Sequence, residues 1–185
     1  HGGVTADYLK IKETTEKLKT LLDDAKIGRL TTEEGTDVTV SLQGRKATAL
    51  AGFATLPGEF SGLPDGEASI APLEGTAEGK IVNPYLVEKI GLIRVSFSLE
   101  IRGGEVKDLK GGSEATQLHE LITRTGKGAR NIGEFAIGTN PECRILAVSR
   151  EVKKRLGTAH IAVGDNLTLG GKVDCPLHLD LIFLQ

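Results

Sequence analysis

The chain has 185 residues, with 24 Gly, 2 Cys, 5 Phe, 2 Tyr and neither Trp nor Met. Lysine and arginine number 23 against 25 aspartate and glutamate, a formal charge of −2, so the basic excess of a dedicated nucleic-acid binder is missing. No apolar run approaches the roughly 18 residues of a membrane span, and two cysteines make no disulfide framework, which together read as a non-membrane, cytoplasmic chain of one or two domains.

The first predicted element is a helix over residues 5–25. Val4, Tyr8, Ile11, Leu18, Leu21, Leu22 and Ala25 recur at three- and four-residue spacings between charged positions. Gly28 follows, where a left-handed cap suits glycine. The period then changes to two. Residues 36–42 read as a strand behind the turn Glu33-Glu34-Gly35. Further short strands are predicted over 47–54, 67–71, 79–82 and 93–101, the last joined through Gly103-Gly104 to 105–109. A helix over 113–124 has Ser113 as its expected N-cap and Ala115, Leu118, Leu121 and Ile122 as one apolar stripe. Strands over 132–137 and 144–148, a short helix over 150–156, and strands over 159–163 and 177–184 complete the prediction. There is no regular β-α-β alternation. The fold class expected is α+β, a mixed, mostly antiparallel sheet curled into a partial barrel with two or three helices.

Four of these segments place an acidic or imidazole side chain in a short apolar stretch. His178 and Asp180 are two apart in a strand, so both side chains emerge on one face. Buried, they need each other or a shared partner. They form either a hydrogen-bonded pair at a strand end or two ligands of a metal ion. His160 sits between Gly157 and Gly164, and Glu134 and Glu67 each follow a glycine at the mouth of an Ala/Ile stretch. Together they offer three carboxylates and two imidazoles, the donor inventory of a two-metal hydrolase. Cys175 alternates to the other face of the His178 strand and is not counted, and His119 is read as a surface residue.

The order Pro64-Asp-Gly-Glu-Ala-Ser-Ile-Ala-Pro72, Ile132-Gly-Glu-Phe-Ala-Ile-Gly138, Gly157-Thr-Ala-His-Ile-Ala-Val-Gly164 and His178-Leu-Asp180 resembles the thermophilic dimetal aminopeptidases of the aminopeptidase T family. The segments Thr32-Glu-Glu-Gly-Thr-Asp-Val-Thr-Val40, Pro57-Gly-Glu-Phe60 and Glu74-Gly-Thr-Ala-Glu-Gly79 are similar too. The resemblance implies removal of N-terminal residues from peptides by two divalent ions (Zn, Co or Mn), in a homodimer. It places the metal ligands on Glu67, Glu134, His160, His178 and Asp180. Asp165 and Asn166, just after the His160 strand, are the expected substrate-lining residues. The family's tyrosine after the histidine strand is replaced here by Asp165, Asn166 and Leu167. The family also has an additional N-terminal α/β domain. The chain therefore reads as a C-terminal metal-binding domain over residues 4–185, with residues 1–3 a cloning remnant.

Relatives of these aminopeptidases include single-iron enzymes that open dihydroxypyridine rings with O₂. In that alternative, His160, His178 and Asp180 form a 2-His-1-carboxylate triad. A third reading is a non-catalytic dimerisation domain.

Overall fold

The computed structural model describes residues 2–184. Helix α1 spans Tyr8–Asp24, α2 Ser113–Thr125 and α3 Ser149–Lys153. The strands are β1 Ile27–Thr31, β2 Asp37–Ser41, β3 Thr48–Leu50, β4 Glu67–Ile70, β5 Glu78–Val82 and β6 Leu86–Val87. They continue with β7 Gly91–Leu92, β8 Phe97–Arg102, β9 Glu105–Gly111, β10 Ile132–Gly138, β11 Ala159–Gly164 and β12 His178–Phe183.

The α+β class predicted from the sequence is the class observed, but the strands form two sheets and no closed barrel. One has five strands in the order β1-β2-β5-β8-β9, the other seven in the order β3-β4-β10-β11-β12-β6-β7. All strand pairings within these sheets are antiparallel. One apolar core lies between the sheets. Val38, Val40, Ile81, Leu99 and Ile101 come to it from the smaller sheet, and Ile70, Ile161, Val163, Leu179 and Leu181 from the larger. Leu118 and Ile122 of α2 join the same core. The hairpin between β8 and β9 turns on Gly103 and Gly104, both at positive φ (57° and 76°), the conformation that a two-residue turn of this hand requires.

Several local expectations change. A 3-10 turn at Gly3–Thr5 delays α1, which Asp7 caps by accepting a hydrogen bond from the Lys10 amide. Its buried face is Ile11, Thr15 and Leu22, whereas Val4 and Leu21 are exposed. Gly28 is no cap, because α1 ends at an extended Ala25 and Gly28 already lies in β1. Gly112, not Ser113, N-caps α2, and the Ser113 hydroxyl donates to Glu114 instead. Residues 144–148 form no strand. The Arg144 amide donates to Glu151 of α3 at 3.2 Å, which folds the segment onto that helix and leaves Ile145, Leu146 and Val148 exposed. Gly3 is buried, its amide donating to Glu151 and its carbonyl accepting from Tyr8 and Asn140. His1 lies outside the described residues.

Candidate metal centre

The registers of the larger sheet decide what meets what. Glu134 pairs with Ala162, Ala136 with His160, and Ala162 in turn with Asp180. On the other side Ala136 faces Ser69, and Gly138 faces Glu67. Alternation therefore sends Glu67, Ser69, Glu134, His160, His178 and Asp180 to one face of four adjacent strands. The residues between them on that face are Ala136, Ala162 and Gly138, and the chain after α3 packs directly over Gly138, where a Cβ would clash with the Arg155 carbonyl oxygen. The opposite face carries Ile70, Phe135, Ile161, Leu179 and Leu181, all in the core. A register shift at residues 132–134 aims Glu134. Gly133 permits it, since a Cβ there would lie 2.5 Å from the Asp165 carbonyl oxygen.

All five ligands expected from the sequence are thus brought together. Glu67, Glu134 and His160 form one group of metal-ligand type, and Glu134, His178 and Asp180 a second, so Glu134 belongs to both. The Nε2 atom of His160 lies 3.2 Å from Glu67 Oε2 and 3.9 Å from Glu134 Oε1. The Nε2 atom of His178 lies 2.9 Å from Glu134 Oε2 and 3.3 Å from Asp180 Oδ1. The Nδ1–H of His178 donates to the Asp165 carbonyl at 2.8 Å, which leaves Nε2 facing the centre.

Two lysines complete the centre. Lys153 ends α3, and its ammonium is paired with Asp180 Oδ2. The ammonium of Lys154, 3 % exposed, lies 2.9 Å from Glu67 Oε2 and 3.2 Å from Asp65 Oδ1. Sequence reasoning missed both. In Glu151-Val-Lys-Lys-Arg155 they look like a solvated charge run, and nothing local marks them as buried.

The electrostatics follow from this crowding. Burial alone would lower the His178 imidazole, but hydrogen bonds to Asp180 and Glu134, and their charges, lift it to about 11. Burial penalises the charge on Glu67 and Asp180. Lys154 and His160 nevertheless hold Glu67 below the usual carboxylate range, and His160, His178 and Lys153 hold Asp180 well below it. Burial and the charge of Asp180 push Glu88, at the rim, upward.

The donor set fits a metal ion. Of the buried side-chain atoms without a hydrogen-bond partner among the described residues, His160 Nδ1 and Nε2, Glu67 Oε2 and Asp180 Oδ1 lie at this centre; the others are Arg45 Nε and the hydroxyls of Ser61, Ser69 and Ser149. Several of those at the centre sit at ion-pair distance from a neighbour but lack hydrogen-bond alignment. Buried polar atoms left this way are costly, and the four at the centre belong to residues of the metal-ligand groups, with Glu67 Oε2 also facing the Lys154 ammonium at 2.9 Å.

A cavity of about 240 Å³ opens onto the centre, lined by Glu67, Glu134, His178, Lys153, Lys154 and Asp165. Leu50, Phe60 and Leu169 supply its apolar wall. Asp165 is one of its lining residues. Asn166 does not line this cavity: its amide donates to Glu74 and its oxygen accepts from the Val173 amide. Cys175 belongs to the core and not to either ligand group, and His119 lines a surface groove on α2.

A family model described as 2,5-dihydroxypyridine 5,6-dioxygenase matches residues 6–185. No curated protein matches the chain. Among solved structures, the chain is similar to 2,5-dihydroxypyridine dioxygenase from Pseudomonas putida KT2440, with a TM-score of 0.84 and 22 % identity over 98 % of this chain and 56 % of that one. It is also similar to wild-type AmpT from Thermus thermophilus, with a TM-score of 0.70 and 18 % identity over 94 % and 48 %. Both likenesses show the fold, and the chain spans about half the length of each protein. The aminopeptidase resemblance read from the motifs is therefore a likeness of fold, while the family match falls on the ring-opening alternative.

Proposed function

Because the chain belongs to the 2,5-dihydroxypyridine 5,6-dioxygenase family, we propose that it opens a dihydroxylated pyridine ring with O₂ at a single ferrous ion held by His160, His178 and Asp180, a triad that draws on both ligand groups, His160 from one and His178 with Asp180 from the other. The observation that carries this reading is the charge balance. Four carboxylates (Asp65, Glu67, Glu134, Asp180) against the ammonium groups of Lys153 and Lys154 leave a formal −2. One divalent ion with two neutral imidazoles balances that charge, and two ions overshoot it. Two imidazoles and a carboxylate with open positions are the ligand type of non-haem iron oxygenases.

The iron supplies the one-electron chemistry that lets O₂ react with a closed-shell ring. The rest is done by the chain. Lys153 holds Asp180 by Oδ2 and leaves Oδ1 for ligation. The Asp165 carbonyl fixes the His178 tautomer. Glu134, against both imidazoles, is placed to take a hydroxyl proton as the ring docks. Leu50, Phe60 and Leu169 offer the flat ring an apolar wall, and the cavity suits one small ring better than a peptide. No helix among the described residues is long and apolar enough to cross a membrane. The exposed Leu56, Phe60 and Leu63 beside the cavity suit a homodimer.

The test loads the chain with Fe(II) without oxygen, then adds 2,5-dihydroxypyridine and O₂. Matched loss of O₂ and of the ring's absorbance is expected, and His178→Gln should abolish both. Hydrolysis of a leucyl anilide with two Zn, Co or Mn ions per chain, and no O₂ uptake, would overturn the reading in favour of the aminopeptidase.

A further inference from the structure

The two lysines of the centre act on their carboxylates differently. Lys153 takes Oδ2 of Asp180, and the other oxygen, Oδ1, remains without a hydrogen-bond partner toward the His178 imidazole. On Glu67, by contrast, one oxygen faces two groups. Oε2 lies 3.2 Å from His160 Nε2 and 2.9 Å from Lys154 Nζ. That ammonium therefore stands against the oxygen that an ion bound by Glu67, Glu134 and His160 would need. It is also held there. The Asn140 amide donates to the Lys154 carbonyl at 2.8 Å, and the Asn140 side chain donates to the Asp65 carbonyl, also at 2.8 Å. A single asparagine thus fixes the backbone carrying the ammonium and the backbone of its second carboxylate partner.

We propose that the Lys154 ammonium is a built-in replacement for a second metal ion, neutralising Glu67 and Asp65 and limiting the centre to one divalent ion. The proposal rests on the single-ion reading above. Its chemical consequence is specific. An ammonium group balances charge and donates hydrogen bonds, but it has no open coordination position and cannot lower the pKa of a bound water as a divalent ion does. Lys154 would then remove the hydrolytic option from a donor set that could otherwise share Glu134 between two ions.

Mn(II) titration of the 185-residue chain tests this, read by metal content after gel filtration and by the electron paramagnetic resonance spectrum. The wild-type chain is expected to hold one Mn(II) with a single-ion spectrum. Lys154→Met should hold two, with the spectrum of an interacting pair, and Lys154→Arg should stay at one. Two ions in the wild-type chain would overturn the single-ion reading itself. One ion in the wild type and still one in Lys154→Met would overturn this inference alone. Lys154→Met leaves Asp65 and Glu67 buried without their counter-charge, so its melting temperature is the second readout. Mn(II) should raise it more than it raises the wild type's, and a variant that stays unfolded in saturating Mn(II) would show that an ion cannot stand in for the lysine.

Discussion

The two sheets of this molecule follow different rules of burial. In the five-stranded sheet, β2 alternates half-buried and buried residues along Asp-Val-Thr-Val-Ser, and β8 does the same along Phe97–Arg102. One face meets the core and the other is open to water, so its polar residues need no buried partner. In the seven-stranded sheet every residue of β4 and β11 is buried, and so are all but one of β10. The alternation survives there in chemistry rather than exposure: apolar on one face, ionisable on the other. Where water does not satisfy a polar side chain, a neighbour or a ligand must. A polar residue thus means something different in each sheet, a solvated edge in one and a functional site in the other.

The sharpest way to break this contrast is Asp180→Ala. The side chain is fully buried between the Lys153 ammonium and the His178 imidazole. Removing one partner of a buried charge cluster leaves the others uncompensated, which costs about 3–5 kcal/mol. Denaturant unfolding of the metal-free chain should show a loss of that size, and Fe(II) binding should fall with it. A loss below about 0.5 kcal/mol, the range of ordinary surface changes, would mean that this face is wetter than the geometry shows.

How much of this was legible follows from the same contrast. Glu67, Glu134, His160, His178 and Asp180 stood out because each interrupts an apolar stretch, and strand alternation then placed His178 beside Asp180. Joining the four segments needs the sheet order, which no local pattern contains. Lys153 and Lys154 were not legible, because their burial comes from the way α3 packs against β12 and from the Asn140 tie. The division of the strands into two sheets was not legible for a related reason. Short strands with tight turns look alike whether they curl into one sheet or divide between two. The segment at residues 144–148 has strand-like residues but joins neither sheet, and Glu151 holds it as a loop.

A graded effect is expected from pH, and it sharpens what replaces water on the buried face. In the metal-free chain His178 titrates near 11, against an ordinary 6.5. The folded state keeps a proton that the unfolded chain has lost. The stabilisation is therefore whole below pH 6.5 and disappears as pH rises toward about 11. A divalent ion displaces that proton when the imidazole ligates it. The metal-free chain should lose stability progressively across this window, and His178→Gln should flatten the slope. Metal uptake in weakly buffered solution should release protons, measurable with an indicator dye. No proton release would mean that His178 stays out of the ligand set.

The smallest effect belongs to the solvated sheet. Arg29 on β1 reaches Asp37 on β2 with two hydrogen bonds, at 2.9 and 2.8 Å, and both side chains are largely exposed. The hydrogen bonds and charge of Arg29 lower the Asp37 carboxyl below its ordinary value. Any stabilisation is therefore present at neutral pH and lost as acid titrates the folded carboxylate. Water screens such a pair, and salt screens it further, with a Debye length of about 3 Å at 1 M. Asp37→Asn should shift the denaturation midpoint only slightly in dilute buffer, and the difference should vanish in molar salt. Asp180→Ala should keep most of its penalty under the same conditions, because salt does not enter the space between β12 and α3. If the two variants responded alike to salt, the distinction between a solvated face and a sealed one would fall.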